Sequence, residues 1–141
     1  MEESLMPPIA LTDKERAMML GMATAALQHA YAPYSKFRVG ATVLTDDGHL
    51  YTGSNVENAS YGLTICAERA AIFNAVHQTQ GKLKLKGVAV VNENDVPCSP
   101  CGACRQVIAE FGANTAVVFR GQTDYIEMSI ADMLPETFRL T

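Results

Sequence analysis

Gly87-Val88-Ala89-Val90-Val91, followed eight residues later by Ser99-Pro100-Cys101-Gly102-Ala103-Cys104, decides the class of fold. Residues 83–91 read as a strand whose second half is apolar throughout, the pattern of a strand buried on both faces. Such a strand lies inside a sheet with helices packed on it. Ser99 is the expected N-cap of the next helix and Pro100 its N1 residue, where a missing N–H removes no helical bond. That helix is expected to reach Phe111, with Gly112 stopping it.

The flanking sequence supplies the other elements. Thr12-Asp13-Lys14-Glu15 has the form of a capping box, and the Ala-, Leu- and Met-rich segment behind it should be helical to about Ala30, before Pro33. Met18, Met19 and Met22 read as core filler in that helix. Residues 37–44 and 50–55 flank the turn-forming Thr45-Asp46-Asp47-Gly48 and predict a β-hairpin. A second helix is expected over about 66–80, ending near Gly81. Lys82, Lys84 and Lys86 alternate with Leu83 and Leu85 as a solvated face at the strand entrance. Strands over 116–119 and 125–128 and a short helix over 129–134 complete the order α-β-β-α-β-α-β-β, an α/β protein with helices packed on a mixed sheet.

Composition narrows the function. A chain of 141 residues fits one domain, 1–141, and buries enough surface for a core without staples. Its net charge of −4 argues against a phosphate-backbone binder, so nucleic acid is not an expected partner. The start, Met1-Glu2-Glu3-Ser4-Leu5-Met6-Pro7-Pro8, lacks the apolar core of a secretory signal, and residues 1–11 read as a flexible extension. The longest apolar stretch, about 17–27, is interrupted by Gly21 and Thr24 and too short to span a membrane. A cytoplasmic protein with reduced cysteines and no membrane partner is expected.

The four cysteines are too few and too clustered for a disulfide framework. Cys101 and Cys104, three apart at a helix start, share one face of its first turn. The helix dipole and free N–H groups there favour thiolate, the form that binds zinc. Cys66 also lies at an expected helix start, with Thr64 as a possible cap. Three sulfur ligands leave one tetrahedral position open, the pattern of a catalytic zinc. Residues i and i+2 point about 200° apart inside a helix, yet both reach a metal lying beyond its N-terminus. Glu68 is thereby the candidate proton carrier. Three thiolates and Zn²⁺ sum to −1, and Arg69, on the Cys66 face, could compensate by hydrogen bonding the sulfurs.

Cys98 leaves alternatives open, because Cys98-Ser99-Pro100-Cys101 is also a Cys-x-x-Cys. Four sulfurs would make a closed structural zinc, and the pair alone a redox dithiol. Its place before Ser99, outside the helix, favours a non-ligand. His29, His49 and His77 have no ligand spacing.

The Cys-x-Glu with a later Pro-Cys-x-x-Cys is similar to the zinc nucleoside deaminase pattern, in which a glutamate that is not a ligand shuttles protons. The resemblance to the short-chain cytidine deaminases extends through Tyr31-Ala32-Pro33-Tyr34-Ser35-Lys36-Phe37, Val39-Gly40-Ala41 and Asn55-Val56-Glu57-Asn58 to Leu134-Pro135 and Phe138. It implies a three-layer α/β/α fold with about five strands, one zinc per subunit, and hydrolysis of cytidine and 2′-deoxycytidine in pyrimidine salvage. By position, Cys66, Cys101 and Cys104 would bind zinc and Glu68 would carry the proton. Asn55 and Glu57 would bind the ribose 3′-hydroxyl, Phe37 would pack on the pyrimidine and the Ala67 backbone would hold the base. Family members of this length are homotetramers with shared sites, and Ala59, Tyr61 and Phe138 match the residues so shared. A related family acting on a nucleoside-like antibiotic has the same zinc motif but lacks the full Asn-x-Glu-Asn run.

Overall fold

Thr12 opens the first helix as its sequence demands. Its hydroxyl accepts the Glu15 N–H at 3.0 Å, and the Glu15 carboxylate accepts the Thr12 N–H at 2.9 Å. In the computed structural model, which describes residues 11–140, this capping box starts α1 (Asp13–Ala26), which tightens into a 3₁₀ turn, Leu27–His29. The chain continues through β1 (Val39–Thr45), β2 (Leu50–Ser54), α2 (Ala67–Gln78), β3 (Leu85–Asn92), α3 (Gly102–Phe111), β4 (Ala116–Arg120), β5 (Tyr125–Ser129) and the short α4 (Ile130–Met133). Gly48, at φ +90°, makes the hairpin turn between β1 and β2.

The sheet order is β2-β1-β3-β4-β5, with β3 and β4 parallel and every other pair antiparallel. Alternation along three central strands fills two cores. Ala41, Val43, Val88, Val90, Val117 and Phe119 face α2 and α3, packing with Ile72, Ala75 and Ile108. On the other face Leu44, Ala89 and Val118 pack with Met19 of α1, and Val91 with Ala23. The result is the expected three-layer α/β/α arrangement, because strands buried on both sides need a helix layer on each. No helix among the described residues is long and apolar enough to cross a membrane.

Two glycines let helices lie directly on the sheet. A Cβ on Gly40 would sit 2.0 Å from the Ala23 carbonyl of α1, and one on Gly53 would sit 2.3 Å from the Ala71 nitrogen of α2. Backbone atoms cannot rotate away, so Gly53→Ala must push α2 off the sheet. A loss of roughly 1–3 kcal/mol, the usual range for overpacking, is expected in urea unfolding.

The first helix is held to the sheet by ion pairs that bound its pH range. Lys86 Nζ lies 2.7 Å from the Glu15 carboxylate, and Arg16 reaches Glu127 at 2.7 Å. Lys86, with the Thr12 N–H, holds the Glu15 carboxyl below its usual value of 4.5. The folded protein therefore binds this proton more weakly than the unfolded chain does. The stabilisation is complete above the ordinary carboxyl range and drains as pH falls through the lowered folded value. Glu15→Gln is expected to lower stability by about 0.5–1 kcal/mol at pH 7, with the difference from the parent narrowing below about pH 4.5.

Several local expectations are corrected. Only Met19 of the three helix methionines is fully buried; Met18 is exposed and Met22 intermediate, because they sit around the helix rather than on one stripe. Lys86 is an ion-pair partner rather than part of the solvated lysine face. Residues 1–10 of the expected extension lie outside the described residues, while Leu11 is buried against Met19 and belongs to the packed fold. Ser99 does not cap α3, which starts after Cys101, and its hydroxyl accepts from Arg105 at 3.2 Å. Thr64 does not cap α2; its hydroxyl accepts the Asn58 N–H at 3.2 Å.

Candidate metal centre and nucleoside pocket

Those shifted helix starts place the chemistry. Cys66 is the N-cap residue of α2 and Cys101 that of α3, and neither thiol makes the usual capping bond. Each sulfur is therefore free to face a ligand at the positive end of its helix. Cys104 lies in the first turn of α3 and is fully buried. The sulfurs of Cys66, Cys101 and Cys104 all lie within 4.8 Å of one another, with Cys66 and Cys101 4.0 Å apart. Tetrahedral zinc with Zn–S near 2.3 Å implies sulfur separations of about 3.8 Å, so small rotamer adjustments fit this trio to the ion.

The charges around the trio also suit a divalent cation. Arg69 Nη2 donates to the Cys66 sulfur at 3.3 Å, while its Nε is buried without a partner among the described residues. A guanidinium held against sulfur belongs beside a thiolate cluster of net negative charge. The Cys104 thiol's hydrogen bond and then Arg69 hold the Cys66 thiol down at about 5, against the opposing effect of burial. The same Cys66–Cys104 pairing, together with burial, pushes the Cys104 thiol up. A bound cation would take the place of the thiol protons of the trio.

Glu68, in the first turn of α2, is only 6% exposed. Burial pushes its carboxyl up to about 7, with the Cys66 charge adding to the effect. Cys98 stands outside the sulfur trio. It is partly buried, its N–H bonds the Arg120 carbonyl at 3.0 Å, and burial raises its thiol.

A second group of expected site residues is tied to this centre by two short bridges, Tyr31 to Val56 and Val56 to Ile65. Tyr31 N–H bonds Asn55 O at 2.9 Å and Glu57 N–H bonds Tyr31 O at 2.8 Å, while Val56 pairs with Ile65 in both directions at 3.0 and 2.9 Å. Residues 55–57 are thus clamped between the 31–37 loop and the segment leading into Cys66. The Asn55 side chain is buried and holds the backbone on both sides of Arg38, just after Phe37: Oδ1 accepts the Val39 N–H at 3.0 Å, and Nδ2 donates to Phe37 O at 2.9 Å. Asn55 thereby shapes the loop. Glu57 lines a cavity of about 300 Å³ with Tyr34, Ser35, Tyr61 and Thr64.

The remaining expected residues are distributed unevenly. Ala67 is buried at the first position of α2, and Phe37 packs partly against the main core. Tyr61 lines the Glu57 cavity of its own chain yet is 78% exposed. Ala59 is exposed, and Phe138 is 69% exposed on a tail held along α3 by Gln106, whose Nε2 donates to Phe138 O at 3.1 Å. Sequence reasoning missed the roles of Gln106 and of Arg105, which joins the 99–100 segment to the Met133 carbonyl. No spacing rule signals a side chain that bonds distant backbone.

Comparison with known proteins agrees with this geometry. Residues 12–120 match the family model described as the cytidine and deoxycytidylate deaminase zinc-binding region. A cytidine deaminase of Halalkalibacterium halodurans is 44% identical over 126 residues, covering 88% of this chain and 94% of the relative. The cytidine deaminase of Sporosarcina psychrophila is 48% identical over 80% of this chain and 83% of its own length. Among crystal structures, the cytidine deaminase of Burkholderia pseudomallei superposes with a TM-score of 0.79 at 44% identity, covering 91% of this chain and all (100%) of that one. The Mycobacterium tuberculosis cytidine deaminase does so with a TM-score of 0.77 at 42% identity, over 92% of this chain and 100% of that one. Matched through its zinc-binding region and along nearly its whole length, the chain belongs to the cytidine deaminase family.

Proposed function

We propose that this protein hydrolyses cytidine and 2′-deoxycytidine to uridine and 2′-deoxyuridine with release of ammonia, a step of pyrimidine salvage. The observation that carries the reading is the buried Glu68 carboxyl, next to Arg69 in the first turn of α2 and beside the three-sulfur cluster at the ends of α2 and α3. Cys66, Cys101 and Cys104 hold one zinc per subunit, which when bound supplies the Lewis acidity that activates water at neutral pH. Glu68 accepts a proton from the attacking water and delivers it to ring N3 as the oxygen bonds to C4. Glu68 then carries the hydroxyl proton to the exocyclic amine, the C4–N bond breaks, and ammonia leaves with C4 as a carbonyl. Arg69 offsets the negative charge of the sulfurs.

Phe37 packs on the pyrimidine, the Ala67 backbone holds the base, and Asn55 and Glu57 receive the ribose 3′-hydroxyl. The net charge of −4 suits an uncharged nucleoside better than a nucleotide or nucleic acid. Exposed Tyr61, Leu63, Phe138 and Leu140 support a homotetramer in which Ala59, Tyr61 and Phe138 also serve neighbouring sites. We read the chain as one deaminase domain acting in the cytoplasm.

The test is the ultraviolet change of cytidine with purified protein, before and after chelation and after zinc is restored. Turnover that disappears with chelator and returns with zinc supports the reading; no turnover by the zinc-loaded protein rejects it. Sedimentation tests the tetramer.

A further inference from the structure

We infer that Ser35 is a positioning residue for nucleoside recognition, aiming the Glu57 carboxylate at the sugar. The inference deepens the proposed function and rests on the reading of Glu57 as the acceptor of a ribose hydroxyl. Glu57 does not hang free in its cavity. Its Oε1 accepts the backbone N–H groups of Tyr34 and Ser35 at 2.9 and 3.0 Å. Its Oε2 accepts the Ser35 hydroxyl, and that hydroxyl oxygen accepts the Phe37 N–H at 3.0 Å.

The direction of these bonds matters. A hydroxyl has one proton and accepts on its lone pairs. Because the Phe37 N–H points at the Ser35 oxygen, the hydroxyl proton turns toward Glu57 rather than toward the loop. Lys36, between them, is in the left-handed conformation at φ +59°, which a non-glycine residue keeps only where its surroundings impose it. A carboxylate offers about four acceptor sites, of which the loop fills three, so roughly one remains for the ligand. That remaining site lies on the oxygen Ser35 holds. The hydrogen bonds from Ser35, led by its hydroxyl, also keep the Glu57 carboxyl below its usual range, so it faces the sugar ionised and as an acceptor only.

Without the hydroxyl, Oε2 loses its only fixed donor among the described residues, and the carboxylate can rotate about the backbone bonds at Oε1. The penalty should fall on substrate binding, because neither residue touches the reacting C4. The experiment compares parent, Ser35→Ala and Ser35→Thr, all zinc-loaded, with cytidine and with 3′-deoxycytidine. Ser35→Ala is expected to raise KM for cytidine about tenfold, the scale of one hydrogen bond to a charged group, with kcat within about twofold. Zinc content and the urea midpoint should match the parent, and threonine, which keeps the hydroxyl on an exposed residue, should restore KM. For 3′-deoxycytidine the alanine penalty should shrink to less than about twofold, since no hydroxyl remains to be aimed at.

An unchanged KM for cytidine in Ser35→Ala overturns the inference. So does an equal penalty on both nucleosides, which would put the effect on the base through Phe37. A lowered urea midpoint with loss of kcat, not rescued by threonine, would make Ser35 a structural residue and also reject it. Parent protein inactive on cytidine would instead reject the proposed function, which separates the two failures.

Discussion

Alanine at position 68 should leave a folded, zinc-loaded protein whose turnover of cytidine falls by at least about 10³-fold, the upper part of the range for removing a general acid–base group. Glu68 makes all four proton transfers of the proposed reaction, and among the described residues the sulfur trio includes no carboxylate that could replace it. Its burial costs the fold stability rather than supplying it, so the urea midpoint should not fall. Glu68→Gln keeps the shape and still cannot accept the proton, so it should be nearly as inactive. Zinc analysis alongside steady-state kinetics separates loss of the carboxyl from loss of the metal. An active Glu68→Ala protein would sink the mechanism.

Ligand substitution has the second large effect. Cys104→Ser should reduce zinc from one per subunit to less than about 0.1, with activity falling in proportion and the melting temperature dropping. Cys104 is the buried member of the trio, so a serine there puts a weak, hard oxygen donor where a thiolate is needed and no solvent can make up the loss. Cys98→Ser should leave zinc content, activity and melting temperature within error of the parent, because Cys98 stands outside the trio. Loss of metal in Cys98→Ser would restore the closed four-sulfur site. A pair of variants six residues apart thus distinguishes a catalytic from a structural zinc.

The helix order, the hairpin and the doubly buried strand were legible because each depends on local pattern. The capping box at Thr12–Glu15 needs only four residues, and Gly48 makes its turn with no help from the rest of the chain. Helix starts were less legible. Ser99-Pro100 has the composition of a cap and first turn, yet Arg105 takes the Ser99 hydroxyl and the Pro100 carbonyl, and the helix begins after Cys101. Thr64 was similarly diverted to the Asn58 N–H by the loop that crosses it. Competition for one hydroxyl by a donor six residues away follows no cap or helix spacing.

Cys66, Glu68, Cys101 and Cys104 could be singled out from residue type and interval alone, since sulfur softness and helix periodicity are local properties. Folding alone brings Cys66 within 4.0 Å of Cys101, 35 residues away, by seating two helix N-termini side by side. Folding also gives Asn55 the task of holding the backbone around Phe37, and sets Ser35 between Glu57 and that backbone. A side chain's chemistry is carried in its own atoms, but its hydrogen-bond partner is chosen by whichever polar group the packed chain brings within reach.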